Sequence, residues 1–116
     1  MKSLYVVVLV VLLGTAVAIA QQPAPSPSLI ATGKDAYTTH CAACHGPDGD
    51  GKGPVAFAIK PPPRNFQKDP FKAGEQIPEI FYTITNGLPN TKMIGYGHLS
   101  ETQRWGLAYY VRSFRR

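Results

Sequence analysis

At 116 residues and a formal net charge of +5, the chain has room for one domain and excludes two ordinary ones. Its 44% hydrophobic content overstates the core: sixteen of the first twenty residues belong to that class but only 35 of the other 96 do, and 21 of those 96 are Gly or Pro. So thin a core, with two cysteines allowing one disulfide at most, points to a domain organised by a cofactor.

Residues 1–20 read as an export signal. Lys2 gives a positive start, residues 4–13 are unbroken apolar, and Ala18-Ile19-Ala20 forms an A-x-A cleavage site. A retained membrane anchor is the alternative, since residues 4–20 sit at the lower edge of what spans a bilayer. Cleavage after Ala20 is the expectation, and it puts the protein in the periplasm. Residues 21–32, opening QQPAPSPS, predict a flexible Pro/Ser-rich leader. The folding unit is then residues 33–116.

Three helices are predicted in that unit, and no strand, which makes the class all-α with long ordered loops. The first covers residues 33–43 and runs into the cysteines. The second starts at Pro78, a residue tolerated at a first helical position, and stops at Gly87. The last starts at Ser100, an N-cap with Gln103 three residues on and Glu101 in the first turn. Trp105, Ala108, Tyr109 and Arg112 form one of its stripes, with Leu107, Val111 and Phe114 beside it. Arg112, Arg115 and Arg116 suit its negative end. Between the helices lie loops over residues 46–71 and 88–99, too long for a compact domain unless something organises them.

Cys41-Ala42-Ala43-Cys44-His45 names the organiser, because C-x-x-C-H is the attachment sequence of c-type haem. A helical turn puts Cys41 and Cys44 on one face, where their sulfurs can add to the two vinyl groups of one porphyrin. His45 is then carried beneath the ring to offer iron an imidazole nitrogen. A thioredoxin-like pair needs a βαβ context that this chain lacks. A zinc site would have to recruit its further ligands from His40, His45 and His98, and a disulfide between cysteines three apart on a helix has poor geometry. Asp48 and Asp50 lie in a glycine-rich turn too short for a calcium ligand ladder.

The sixth ligand must come from far along the chain. Once Met1 leaves with the signal, Met93 is the sole thioether, and it lies in the loop before the last helix. His98, five residues later beside the helix cap, is its competitor. His40 adjoins Cys41 and is badly placed for the opposite face.

With these segments in order, the chain resembles class I c-type cytochromes of the small monohaem bacterial kind. The resemblance rests on residues 33–37 leading into Cys41-Ala42-Ala43-Cys44-His45-Gly46, on residues 47–54 and 83–89, on Met93, and on Gly97-His98-Leu99-Ser100 running into Trp105 and Tyr109-Tyr110-Val111. One departure is Ile94, where members commonly have proline. The resemblance implies one covalent haem c on Cys41 and Cys44, with His45 proximal and Met93 distal. It also implies that the first and last helices cross, bringing Tyr37 to the region of Tyr109. The other ring nitrogen of His45 should donate to a backbone carbonyl, that of Pro54 first and the Pro61-Pro62-Pro63 run second. Arg64, Tyr96 and Trp105 are candidate propionate partners, with surface or packing roles as the alternative for each.

His/Met ligation fills both axial positions and favours ferrous iron, so the expected function is one-electron carriage rather than enzymatic turnover. No catalytic residue, small-molecule substrate or nucleic acid is expected. The partners would be periplasmic or membrane-bound redox proteins. Lys52, Lys60, Arg64, Lys68, Lys72 and Lys92, all in the long loops, would steer the protein to acidic docking surfaces, or merely keep it soluble. Two alternatives remain: a dedicated haem subunit of a larger dehydrogenase or oxidase, and a haem enzyme or gas sensor with a labile Met93.

Overall fold

The computed structural model describes residues 21–116; the export signal read in residues 1–20 lies outside them. Helix α1 spans Pro27–His40, α2 is the single turn Ala42–His45, and a 3-10 turn covers Ala56–Ala58. Helix α3 spans Ile77–Asn86 and α4 spans Glu101–Ser113. No strand occurs among the described residues, as an all-α reading requires.

Helix α1 begins six residues before the predicted start and takes in half of the predicted leader. The cause is local. Ser26 caps the helix, its Oγ accepting from the Leu29 amide at 3.1 Å, and Pro27 follows in the first turn, a cap-and-proline pair hidden in the alternating prolines. The residues before it are held too: Tyr109 Oη donates to the Pro23 carbonyl at 2.6 Å and accepts from Gln22 Nε2 at 2.9 Å. Helix α1 ends at His40, where Cys41 leaves helical geometry (φ −120°), and α2 resumes at once to place the two cysteines and His45.

Helices α1 and α4 cross at Gly33 and Gly106. A Cβ on Gly33 would lie 2.0 Å from the Gly106 carbonyl oxygen, and one on Gly106 would lie 2.5 Å from that of Leu29. Backbones so close leave no room for a side chain at either position. Below the crossing, Tyr37 is buried, with Tyr110 and Phe114 each 5.2 Å away between ring centroids. The expected aromatic contact thus falls one residue along from Tyr109, whose hydroxyl is taken by the leader.

Helix α3 packs on α4 through Phe81, whose ring stacks on Trp105 at 3.8 Å. Arg104 reinforces this seam, donating from Nη1 to Thr85 Oγ1 (2.9 Å) and from Nε to the Leu99 carbonyl (3.1 Å). The capping box at Ser100 and Gln103 forms as predicted, with both bonds at 3.1 Å. The arginines at the end of α4 act across space rather than on their own helix. Arg112 donates to the Glu75 carbonyl, and Arg115 to the Asp69 carbonyl and the Glu75 carboxylate. They pin the loop of residues 65–76 against the molecule.

Candidate functional site

Among the described residues, the core formed by α1, α3 and α4 is ten residues, and the inner side of Ile80, Ile84 and Val111 is the wall of a cavity of about 210 Å³. The opposite wall is built by the two long loops. Cys41, Cys44, His45 and Met93 all line this one cavity, although Met93 is 48 residues from His45 in the chain. His40 also lines it. His98 does not; it is exposed beyond Tyr96.

Helix α2 delivers three of the four. Turning once after Cys41, it bonds the His45 amide to the Cys41 carbonyl at 2.9 Å, and Gly46, at φ 82°, ends it directly afterwards. Both thiols are free. Burial, with Cys44 beside it, pushes the Cys41 thiol up to about 12, so at neutral pH it is an uncharged thiol. Burial also lowers the His45 pKa, against a smaller opposing pull from the Arg64 carbonyl, which favours the neutral imidazole that binds metals.

The carbonyl that receives His45 Nδ1 is that of Arg64, at 3.1 Å, and neither Pro54 nor the 61–63 run. Residues 53–55 are committed elsewhere: the Gly53 and Val55 amides bond to the Cys44 and Ala43 carbonyls, which fastens that segment to the outside of α2. The chain swings back under the imidazole only after the prolines. Phe66, two residues past Arg64, stacks on the His45 ring at 4.3 Å. With Nδ1 committed and one ring face covered, His45 is left with Nε2 for a ligand. Sequence offered a weak signal for Phe66, an aromatic just past a proline run.

On the other side, Met93 is fixed by its neighbours. Its amide donates to Thr91 Oγ1 (3.1 Å), which itself donates to the Leu88 carbonyl (2.8 Å), while the Met93 carbonyl accepts from the Leu88 amide (3.0 Å). Gly87, at φ 71°, lets the loop close: a Cβ there would lie 2.5 Å from the Met93 carbonyl oxygen. Among the propionate candidates, Arg64 and Tyr96 line the cavity. Tyr96 spends its hydroxyl on the His40 carbonyl, at 3.1 Å. Trp105 is buried against Phe81 and is absent from the cavity lining, so its role is packing.

The cytochrome c family model matches residues 30–115. The chain belongs to the cytochrome c family. It is 34% identical over 88 residues to thiosulfate dehydrogenase of Stutzerimonas stutzeri (strain A1501), a match covering 75% of this chain and 28% of that protein. Among solved structures it resembles a chain of the reducing HAO-like protein complex of Kuenenia stuttgartiensis, with a TM-score of 0.64 and 34% identity, covering 72% of this chain and 41% of the other. The KustC0563 c-type cytochrome superimposes with a TM-score of 0.55 at 28% identity, covering 72% and 98%. The chain thus spans well under half the length of the thiosulfate dehydrogenase and of the HAO-like complex chain.

Cytochrome c domains carry covalent haem c, and this cavity fits that group: an apolar hollow with two free thiols one helical turn apart on its wall, an imidazole with one nitrogen to spare, and a thioether. Among the described residues no helix is long and apolar enough to cross a membrane, and no cluster of three or more His, Cys, Asp or Glu offers a separate metal site.

Proposed function

We propose that this cytochrome c is a periplasmic one-electron carrier in which Cys41 and Cys44 hold haem through thioethers and His45 and Met93 are its axial ligands. Bound haem supplies an iron that cycles between ferric and ferrous states. The supporting observation is that Met93 lines the same cavity as His45 while His98 is exposed outside it. With His45 and Met93 both held by the iron there would be no open coordination site for substrate, and the thiols of Cys41 and Cys44 would be spent on attachment; the role is electron carriage, not turnover. A thioether ligand raises the potential relative to bis-His ligation, and the buried apolar walls disfavour the extra charge of the ferric state.

Partners are redox proteins of the periplasm or of a membrane facing it. Lys72 and Lys92 are exposed and contribute to the cavity lining, a placement that suits acidic docking surfaces. A second reading, a haem subunit of a larger redox enzyme, is favoured by the match to part of thiosulfate dehydrogenase; purification of the chain from its source with a catalytic subunit at fixed stoichiometry would establish it.

The axial pair is tested by spectroscopy of the holoprotein. Ferric protein should show the weak near-infrared sulfur-to-iron band, and ferrous protein should resist carbon monoxide. Met93→Ala should abolish the band, admit carbon monoxide and lower the potential, with His98→Ala leaving all three nearly unchanged. The reverse pattern would make this a bis-His cytochrome.

A further inference from the structure

The peptide group between Arg64 and Asn65 is engaged at both ends. Its carbonyl accepts from His45 Nδ1 at 3.1 Å, and its N–H, on Asn65, donates to Asp69 Oδ2 at 3.1 Å. Imidazole, peptide and carboxylate therefore form one hydrogen-bonded chain that ends on an anion. Neighbouring bonds hold it in place. The Asp69 amide donates to the Asn65 carbonyl (2.9 Å), and the next amide after Asn65, that of Phe66, donates to the Gly49 carbonyl (2.7 Å). Arg115 Nη2 donates to the Asp69 carbonyl at 2.7 Å. The carboxylate that Arg115 pairs with is that of Glu75, so the Asp69 carboxylate has no salt-bridge partner among the described residues.

An anion accepting from the N–H of a peptide pushes electron density onto that peptide's carbonyl oxygen, because hydrogen bonds in series polarise one another. The Arg64 carbonyl is then a stronger acceptor for Nδ1–H, and the imidazole gains electron density at Nε2, as partners behind a ligating histidine bring about. We propose that Asp69 is a positioning residue for electron transfer: through the Arg64–Asn65 peptide, its carboxylate makes His45 a stronger donor to iron and so favours the ferric state. This deepens the electron-carrier reading and rests on it, since it needs His45 as an axial ligand. It works against a thioether ligand and apolar walls, both of which favour ferrous iron, and so gives the potential a lower setting than those two alone would.

The test is the reduction potential of holoprotein carrying Asp69→Asn, which keeps the size of the side chain and an oxygen to accept from Asn65, and removes the charge. The ferric–ferrous equilibrium should shift about threefold toward ferrous, a rise of roughly 30 mV at about 59 mV per tenfold for one electron. The effect runs through hydrogen bonds, so it should persist at high salt, where surface charges are screened. Asp48→Asn makes the same charge change at an exposed carboxylate outside the chain, and any shift it causes should vanish there. A spectroscopic arm reads the imidazole itself: in ferrous Met93→Ala protein, the iron–histidine stretch should move to lower frequency when Asp69→Asn is added. An unchanged potential and stretch in Asp69→Asn would overturn the proposal. So would a shift that high salt erases, since Asp69 would then be one surface charge among others. Unaltered protein with no reversible one-electron wave would instead sink the carrier reading, and this proposal with it.

Discussion

Tyr96 connects the two halves of the site. Its amide donates to the Ile84 carbonyl at 2.7 Å and its hydroxyl to the His40 carbonyl at 3.1 Å, joining the end of α3 to the residue before Cys41. Met93 is three residues upstream, so this strut sets how far the thioether sits from the attachment helix. Tyr96→Phe keeps the ring and loses one hydrogen bond of about 1 kcal/mol. With Met93 as the proposed ligand, imidazole should therefore displace it from ferric protein about fivefold more readily, with the near-infrared band reporting the exchange and the melting temperature falling only a few degrees. Unchanged imidazole affinity would reduce Tyr96 to packing. At this scale the sequence identifies residues whose chemistry has few substitutes: two cysteines with an adjacent histidine, and a methionine in the loop before the last helix. It does not identify which carbonyl receives His45, because any residue presents the same C=O. Arg64 stands out in the sequence for its side chain, not for its carbonyl. The thioethers follow from the motif, and denatured holoprotein should keep its haem through acid-acetone extraction, with no titratable thiol.

Between helices, what matters is how closely backbones approach, and there glycine is the signal. Gly33 and Gly106 bring α1 and α4 into backbone contact. Gly33→Ala should cost about 3 kcal/mol, the upper end of overpacking, read as a lowered guanidinium midpoint of the holoprotein. Gly97→Ala is the control: its added Cβ would meet nothing closer than 3.4 Å and should leave the midpoint within error. A tolerated Gly33→Ala would show that the helices can part without loss. The crossing was readable only through the family resemblance, since a lone glycine within a helix looks like a flaw rather than a contact. The N-terminus of α1 is hidden in the sequence for a related reason. Ser26-Pro27 carries the cap chemistry, but prolines at 23, 25 and 27 give the composition of a linker. The capped, amphipathic α4 was legible because its cap and its stripes agree.

For the molecule as a whole, the core and the site share one set of side chains. Ile80, Ile84 and Val111 belong to the ten-residue core and also line the cavity, and Phe66 and Phe71 hold the far wall through their contact at 5.5 Å. The far wall has few helical residues of its own and is tied down by Arg112, Arg115 and the Arg64 carbonyl, and by Phe66 N and Gln67 Nε2 donating to the Gly49 and Asp48 carbonyls. Haem in the cavity would therefore bridge walls that otherwise touch little, and the conformational entropy of ordering about thirty loop residues, at roughly 1–2 kcal/mol each for the backbone, has to be met largely through contacts with it. Cys41→Ala/Cys44→Ala protein, unable to retain haem, should lose most of its far-ultraviolet helical signal and its cooperative melt, while expressed holoprotein melts sharply. The loss should be graded: α1 and α4, locked at Gly33 and Gly106 with Tyr37 buried among Tyr110 and Phe114, should keep the slowest amide exchange, and residues 46–76 should exchange at once. A haem-free chain that melts cooperatively with protected loop amides would mean that the arginine clamps and loop hydrogen bonds alone hold the far wall, and that the fold does not depend on the group it carries.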